Sequence, residues 1–187
     1  MGIYKDVMGT LVRVLAADNI DNSTKQSWQR LIDADLNHGG TGSSISVRDK
    51  FDYDCCLYAL LHRELTPGHW DVLVAKYSTH KANKVAAIGR LVSRMTSPAP
   101  QLFVYKALTA WAIPKLRGAQ TGKRSTDMIV LPPGFYDMNT WDTDGSPERT
   151  RHRWRAGIHK RLEMLEEAAV VHATEIFDHE EIFIDAA

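Results

Sequence analysis

Two blocks of opposite charge stand side by side late in this chain, and one file of apolar residues runs through both. Between Ser146 and Arg161 lie Arg149, Arg151, Arg153, Arg155, Lys160 and Arg161, opposed only by Glu148. From 162 to 187 there are eight acidic side chains and no Lys or Arg. A formal net charge of zero, from 23 basic and 23 acidic residues, hides this segregation. Residues 101–161 carry 11 basic against 5 acidic side chains, whereas 1–100 are near balance at 12 against 10. At about 100° per residue, Trp154, Ile158, Leu162 and Leu165 share one side of a helix. Arg149, His152, Arg153, Ala156, His159 and Lys160 point away. Arg151 falls in the apolar sector and Arg155 on its border, placed to snorkel or to pair with a core acid. The expected helix opens at Ser146-Pro147-Glu148 with a cap, a proline and an acid that suits the helix dipole, and runs to about Phe177.

The rest of the chain reads as helices punctuated by caps and prolines. Ile3 to Ala17 has apolar residues at helical spacing. Asn22-Ser23 reads as a cap before a second helix with Trp28, Leu31, Ile32 and Leu36. His38-Gly39-Gly40-Thr41-Gly42-Ser43-Ser44 is a linker, since it lacks the Gly-Lys-Ser/Thr of a phosphate loop. It divides the chain into 1–42, a helical segment with its linker, and 43–187, the main helical domain with an acidic tail. Leu57, Leu60, Leu61 and Leu65 mark a third helix. Thr66-Pro67 starts another, with Trp70, Leu73, Val74 and Tyr77. Val85, Ile88, Leu91 and Val92 form the next apolar face. Ser97-Pro98 opens a helix through Leu102, Phe103, Tyr105, Leu108 and Trp111 that ends near Pro114 and Gly118. Met128 to Leu131 reads as a short strand or a core-packed loop. The expected fold class is mainly α, a helical bundle containing a helix-turn-helix and a long C-terminal helix.

Composition removes several function classes. With 44% hydrophobic and 25% charged residues in 187, the chain is that of an ordinary globular protein. Its apolar runs fall far short of the roughly 20 residues that cross a bilayer. The start, Met1 to Lys5, lacks a secretory pattern, and the only cysteines are the adjacent Cys55 and Cys56. The expectation is a reduced cytoplasmic protein with no membrane partner. Cys55 and Cys56 read as packing residues of a buried helix. His172 and His179 are seven apart and do not reproduce the spacing that brings two imidazoles to one metal, so no metal site or cofactor is assigned. Asp142-Thr143-Asp144-Gly145 lacks the later ligands of a calcium loop and reads as a turn. Asp49, Asp52 and Asp54 could hold magnesium in a nuclease, but no His or Lys constellation accompanies them. The expectation is not an enzyme. The tryptophans lie at helical spacing among Leu and Val and read as core.

A helix that is apolar beneath and cationic above suits a helix-turn-helix reader, whose second helix presents base-contacting and phosphate-contacting residues. Arg serves because its planar fork grips a phosphate or a guanine edge with two hydrogen bonds. Phe135 to Asp142 would be the first helix and Thr143-Asp144-Gly145 the turn. The candidate nucleic-acid-binding residues are Ser146, Arg149, Thr150, His152, Arg153, Arg155 and Lys160. The same helix also fits a protein-docking role.

The stretch from Gly145 to Arg155, followed by Ile158, Leu162 and Leu165, resembles the recognition helix of region-four-type sigma-factor domains. Leu65-Thr66-Pro67 with Trp70, Leu73 and Tyr77 resembles the opening helix of that module, although the two motifs stand farther apart here than in the family. The arrangement as a whole is similar to phage late-gene antitermination proteins of the Q type. That resemblance implies a DNA-binding transcription regulator in the host bacterial cytoplasm that loads onto RNA polymerase and suppresses pausing and termination. The zinc-binding cysteines of some of these proteins are absent, so it implies a zinc-free variant. The alternative is a helical protein-interaction module, such as a phage-encoded inhibitor of a host factor. Neither reading sets the oligomeric state.

Overall fold

A computed structural model of the chain describes residues 6–17, 47–115 and 129–183. The expected helix around Trp28 to Leu36, the linker at 38–44, Met128 and the last four residues lie outside the described residues. Among the described residues the secondary structure is helical throughout, with α1 (Val7–Ala17), α2 (Val47–Glu64), α3 (Pro67–Tyr77), α4 (Lys81–Arg94), α5 (Gln101–Ala112) and α6 (Glu148–His179). Two short 3-10 turns, Pro133–Tyr136 and Met138–Thr140, precede α6. The mainly α expectation and the long last helix therefore hold. No described helix is long and apolar enough to cross a membrane.

The centre of the bundle is α3. Thr66 caps it by accepting the His69 N–H at 3.4 Å, and Pro67 takes the first helical position. Trp70 through Ala75 are all buried, so this helix is enclosed on every side rather than on one stripe. That enclosure traps Asp71, which is 2% exposed. Arg90 and Arg94 of α4 each reach one of its carboxylate oxygens at 2.8 Å. A buried carboxylate persists only when its charge and lone pairs are met, so these arginines lock α4 to α3. Three residues, 78–80, join the two helices, and His80 caps α4 by accepting the Asn83 N–H. Ala87, Ile88 and Leu91 face inward, whereas Val85, expected on the same face, is 56% exposed.

Core side chains from α1 (Leu11, Val14, Leu15) join those of α2 (Leu57, Leu61), α5 (Phe103, Ala107, Leu108) and α6 (Ile158, Leu162, Phe177). Trp70, Trp111 and Trp141 are buried and Trp154 half-buried, in line with the core reading of the tryptophans. In α6 the fully buried Ala169 and Ala173 leave room for neighbouring helices to approach. The helix closes with the N–H of Ile182 bonded to Phe177 O and that of Glu181 to Asp178 O, with Glu181 at φ 53°. Asp54 is buried and paired with Arg13 at 2.9 Å, which gives this acid a structural role instead of a place in a magnesium cluster. Cys55 and Cys56 are both exposed, contrary to their expected burial, because the inner face of α2 is set by Asp54, Leu57 and Leu61.

Lys84 is buried at the start of α4 and donates to the carbonyls of Lys76 and Ser78 at 3.0 and 3.2 Å, satisfying the end of α3. Burial, and secondarily the charge of Lys76, lowers its pKa to about 8. The unfolded chain has the ordinary value of 10.5, so it binds a proton that the folded chain refuses between these limits. Folding stability should therefore rise as pH increases through that window. Lys84→Met should lack this increment, measured as urea midpoints of the two proteins across it.

A candidate nucleic-acid interface

The chain reaches α6 through a segment that clasps α5 at both ends. Tyr136 Oη donates to Ile113 O at 2.8 Å, and Lys106 Nζ donates to Thr140 O at 2.7 Å. Trp141 is buried edge-to-face against Phe103, with ring centroids 5.4 Å apart, and its Nε1–H donates to Phe135 O. Phe103 also meets Trp154 of α6 at 5.5 Å. This places the amino-terminal part of α6 against α5.

Phe135 to Asp142 was expected to be the first helix of a helix-turn-helix, and it is not an α-helix. It forms the two 3-10 turns, bounded by Pro132-Pro133-Gly134 and broken at Asp137, whose side chain accepts the Asn139 N–H at 3.0 Å. Proline restricts the backbone at one end and the Asp137 cap ends the first turn at the other. The turn after it follows the expected chemistry. Buried Asp142 accepts the N–H of Asp144 at 3.1 Å and of Ser146 at 2.6 Å, and Gly145 sits at φ 69°. Burial pushes the Asp142 carboxyl up, but these hydrogen bonds and the Arg151 charge outweigh it and hold its pKa low. Helix α6 then opens at Glu148, one step after the expected position, with Pro147 as the capping residue and no side-chain cap.

The structure sorts the seven candidate residues. Arg149, Arg153 and Lys160 are exposed and lie within about 40° of one another on the outward side. His152 is exposed but sits about 100° round from Arg153, with Nε2 at 3.5 Å from the Glu148 carboxylate. Arg155 is exposed on the opposite flank, its guanidinium 5.9 Å from the centre of the Trp141 ring. Ser146 and Thr150 are half-buried, and Ser146 serves the Asp142 turn. Arg161 is exposed but sits about 100° round from Lys160, off the row.

Two neighbours depart from expectation. His159 was placed among the outward residues but is half-buried against α5, hydrogen-bonded to the Ala107 carbonyl. Its pKa is lowered, chiefly by burial and then by Arg155, so it is no part of a cationic face at neutral pH. Arg151 does approach a core acid, since its charge acts on Asp142, although its Nε is buried without a hydrogen-bond partner. Sequence reasoning also passed over His69, whose Nδ1 lies 3.0 Å from that of His172. Burial and the His172 charge lower the His69 pKa, and the 103-residue separation leaves no local pattern to read. Among the described residues no group of three or more metal-ligating side chains occurs.

No protein family, curated protein or solved structure matches this chain.

Because the folded Asp142 carboxyl is held low, its stabilising effect is present above the unfolded carboxylate pKa and is lost as pH falls through the folded value. Asp142→Ala should lower the melting temperature by several degrees at neutral pH. The gap from the parent protein should close on acidification, as followed by circular dichroism.

Proposed function

We propose that this chain is a DNA-binding transcription regulator, with the amino-terminal half of α6 as its DNA-contacting element. The observation that carries the reading is the outward row of Arg149, Arg153 and Lys160, all exposed, with the acids of α6 other than Glu148 displaced along the same helix. Arg149 and Glu163 are 14 residues apart, about 21 Å along the axis, so the acidic half cannot fold back to neutralise the basic end. The order of charge also runs against the helix's own interest. A helix dipole favours acids at the start and bases at the end; Glu148 and His179 follow that rule, but Arg149, Arg151 and Arg153 crowd the start while Glu175 and Asp178 stand near the end. A charge order that costs the helix stability points to a partner outside it. A phosphate backbone is such a partner, because neutralising it releases counterions.

The docking unit in this reading is the solvent-facing start of α6, set by the Asp142 turn and the Trp141–Phe103–Trp154 aromatic contacts, with 3-10 turns where a helix-turn-helix has its first helix. The resemblance to Q-type antitermination proteins extends the proposal to a phage regulator that loads onto RNA polymerase in the bacterial cytoplasm. A second reading, a helical protein-interaction module, draws on Met164 and Val171, which are 60% and 53% exposed on the same side of α6.

Replacing Arg149 and Arg153 together with Ala should weaken retention on duplex DNA and flatten its salt dependence by about one unit of log–log slope per lost phosphate contact, with the helical signal unchanged. Retention that is unaltered at low salt would remove the row from DNA binding.

A further inference from the structure

The outward side of α6 carries a repeat that the described residues leave uncovered. Arg153, Gly157, Lys160, Met164, Glu167, Val171 and Asp178 are all exposed and follow an alternating four-three spacing, with half-buried Thr174 filling the remaining step. That is the spacing of a seam between two helices. Met164 stands at the middle of the 32-residue helix, with the basic half on one side and the acidic half on the other.

An antiparallel second copy, related by a two-fold axis at Met164, brings opposite charges together. Residues equally distant from Met164 then lie at the same level. Lys160, four residues before Met164, comes beside Glu167, three after it, and Arg153 meets Glu175, eleven to either side. Gly157 meets Val171, seven to either side. A parallel copy would instead set base on base and acid on acid.

Gly157 adds an independent observation. A Cβ built there meets nothing within 4 Å, so packing among the described residues gives no reason for a glycine. In a helix interior it costs about 1 kcal/mol relative to Ala. Opposite Val171, the missing side chain lets two helix backbones approach.

We propose that a second copy of this chain docks antiparallel on the outward face of α6, centred on Met164. The pairing covers Arg153 and Lys160, so if the row also binds DNA, a duplex and a second copy compete for it. That consequence rests on the DNA-binding reading; the pairing itself does not.

Sedimentation velocity of the full chain at low salt, without nucleic acid, tests the pairing. The average mass should climb with concentration from one copy toward two, and less steeply in high salt. Lys160→Glu should weaken association by about tenfold or more by setting acid against Glu167. Lys160→Glu with Glu167→Lys should restore it. These positions are seven apart, about 10 Å along the axis, so they do not pair within one helix and the rescue reads a contact between copies. Met164→Lys should abolish association by placing two ammonium groups on the axis. All three positions are exposed, and unchanged helical ellipticity confirms that the variants fold. A single-copy mass at every concentration overturns the proposal and leaves the face to a polyanion or a foreign protein. Association that is indifferent to Lys160→Glu and Met164→Lys overturns it equally. Either failure leaves the DNA test at Arg149 and Arg153 to stand by itself.

Discussion

The molecule is organised by a mismatch of lengths. Helix α6 has 32 residues and spans about 48 Å, while α3 and α5, of 11 and 12 residues, span about 16 and 18 Å. No single neighbour can cover such a rod. Contacts divide it between them: Trp154 and His159 lie against α5, Glu166 meets Lys76 and Tyr77 of α3, and His172 meets His69 farther along the same helix. Among the described residues nothing covers the remaining circumference. That leaves one long side open, and the chemistry placed on it has no structural task within the described fold.

What occupies it is ordered by sign. A surface helix needs charge for solubility, but interspersed charge serves that purpose and gains from pairs three or four residues apart. Segregation forgoes most of those pairs and sets like charges side by side. On the exposed amino-terminal half, Glu148 and His152 form the one such contact among the described residues. Together with the unfavourable alignment to the helix dipole, this makes the pattern a cost to the isolated chain. The interior shows the opposite economy, where each arginine facing Asp71 is matched atom for atom.

Much of this was legible because α6 is governed by local periodicity. Its apolar stripe depends only on residues one or two turns apart, and Ile158 and Leu162 lie where the helical wheel puts them. The misreadings fall where a distant neighbour decides. His159 lies at the edge of the apolar sector, and its burial follows from where α5 crosses, which no short window contains. Cys55 and Cys56 flank the inward Asp54 and Leu57, and which side of α2 turns inward is decided by α1, through Arg13. Phe135 to Asp142 has aromatic spacing that fits a helix, but hydrogen bonds from Trp141 to Phe135 and from Tyr136 to Ile113 hold it in tighter turns.

The same geometry explains why nucleic acid and a second copy are natural rivals for one face. Each supplies what the basic half lacks, a regular line of negative charge, but at different depth. Phosphates can be met by long side chains held away from the helix, which Arg149 and Lys160 provide at its exposed start. A second helix needs backbone proximity, which Gly157 permits at one point and Met164 and Val171 cushion at others. Charges near the end of the rod therefore tell mostly on a duplex, and the uncharged residues around its middle tell mostly on self-pairing. A partner that used only charge would be indifferent to Gly157 and Met164; one that used only apolar contact would be indifferent to the order of sign along α6.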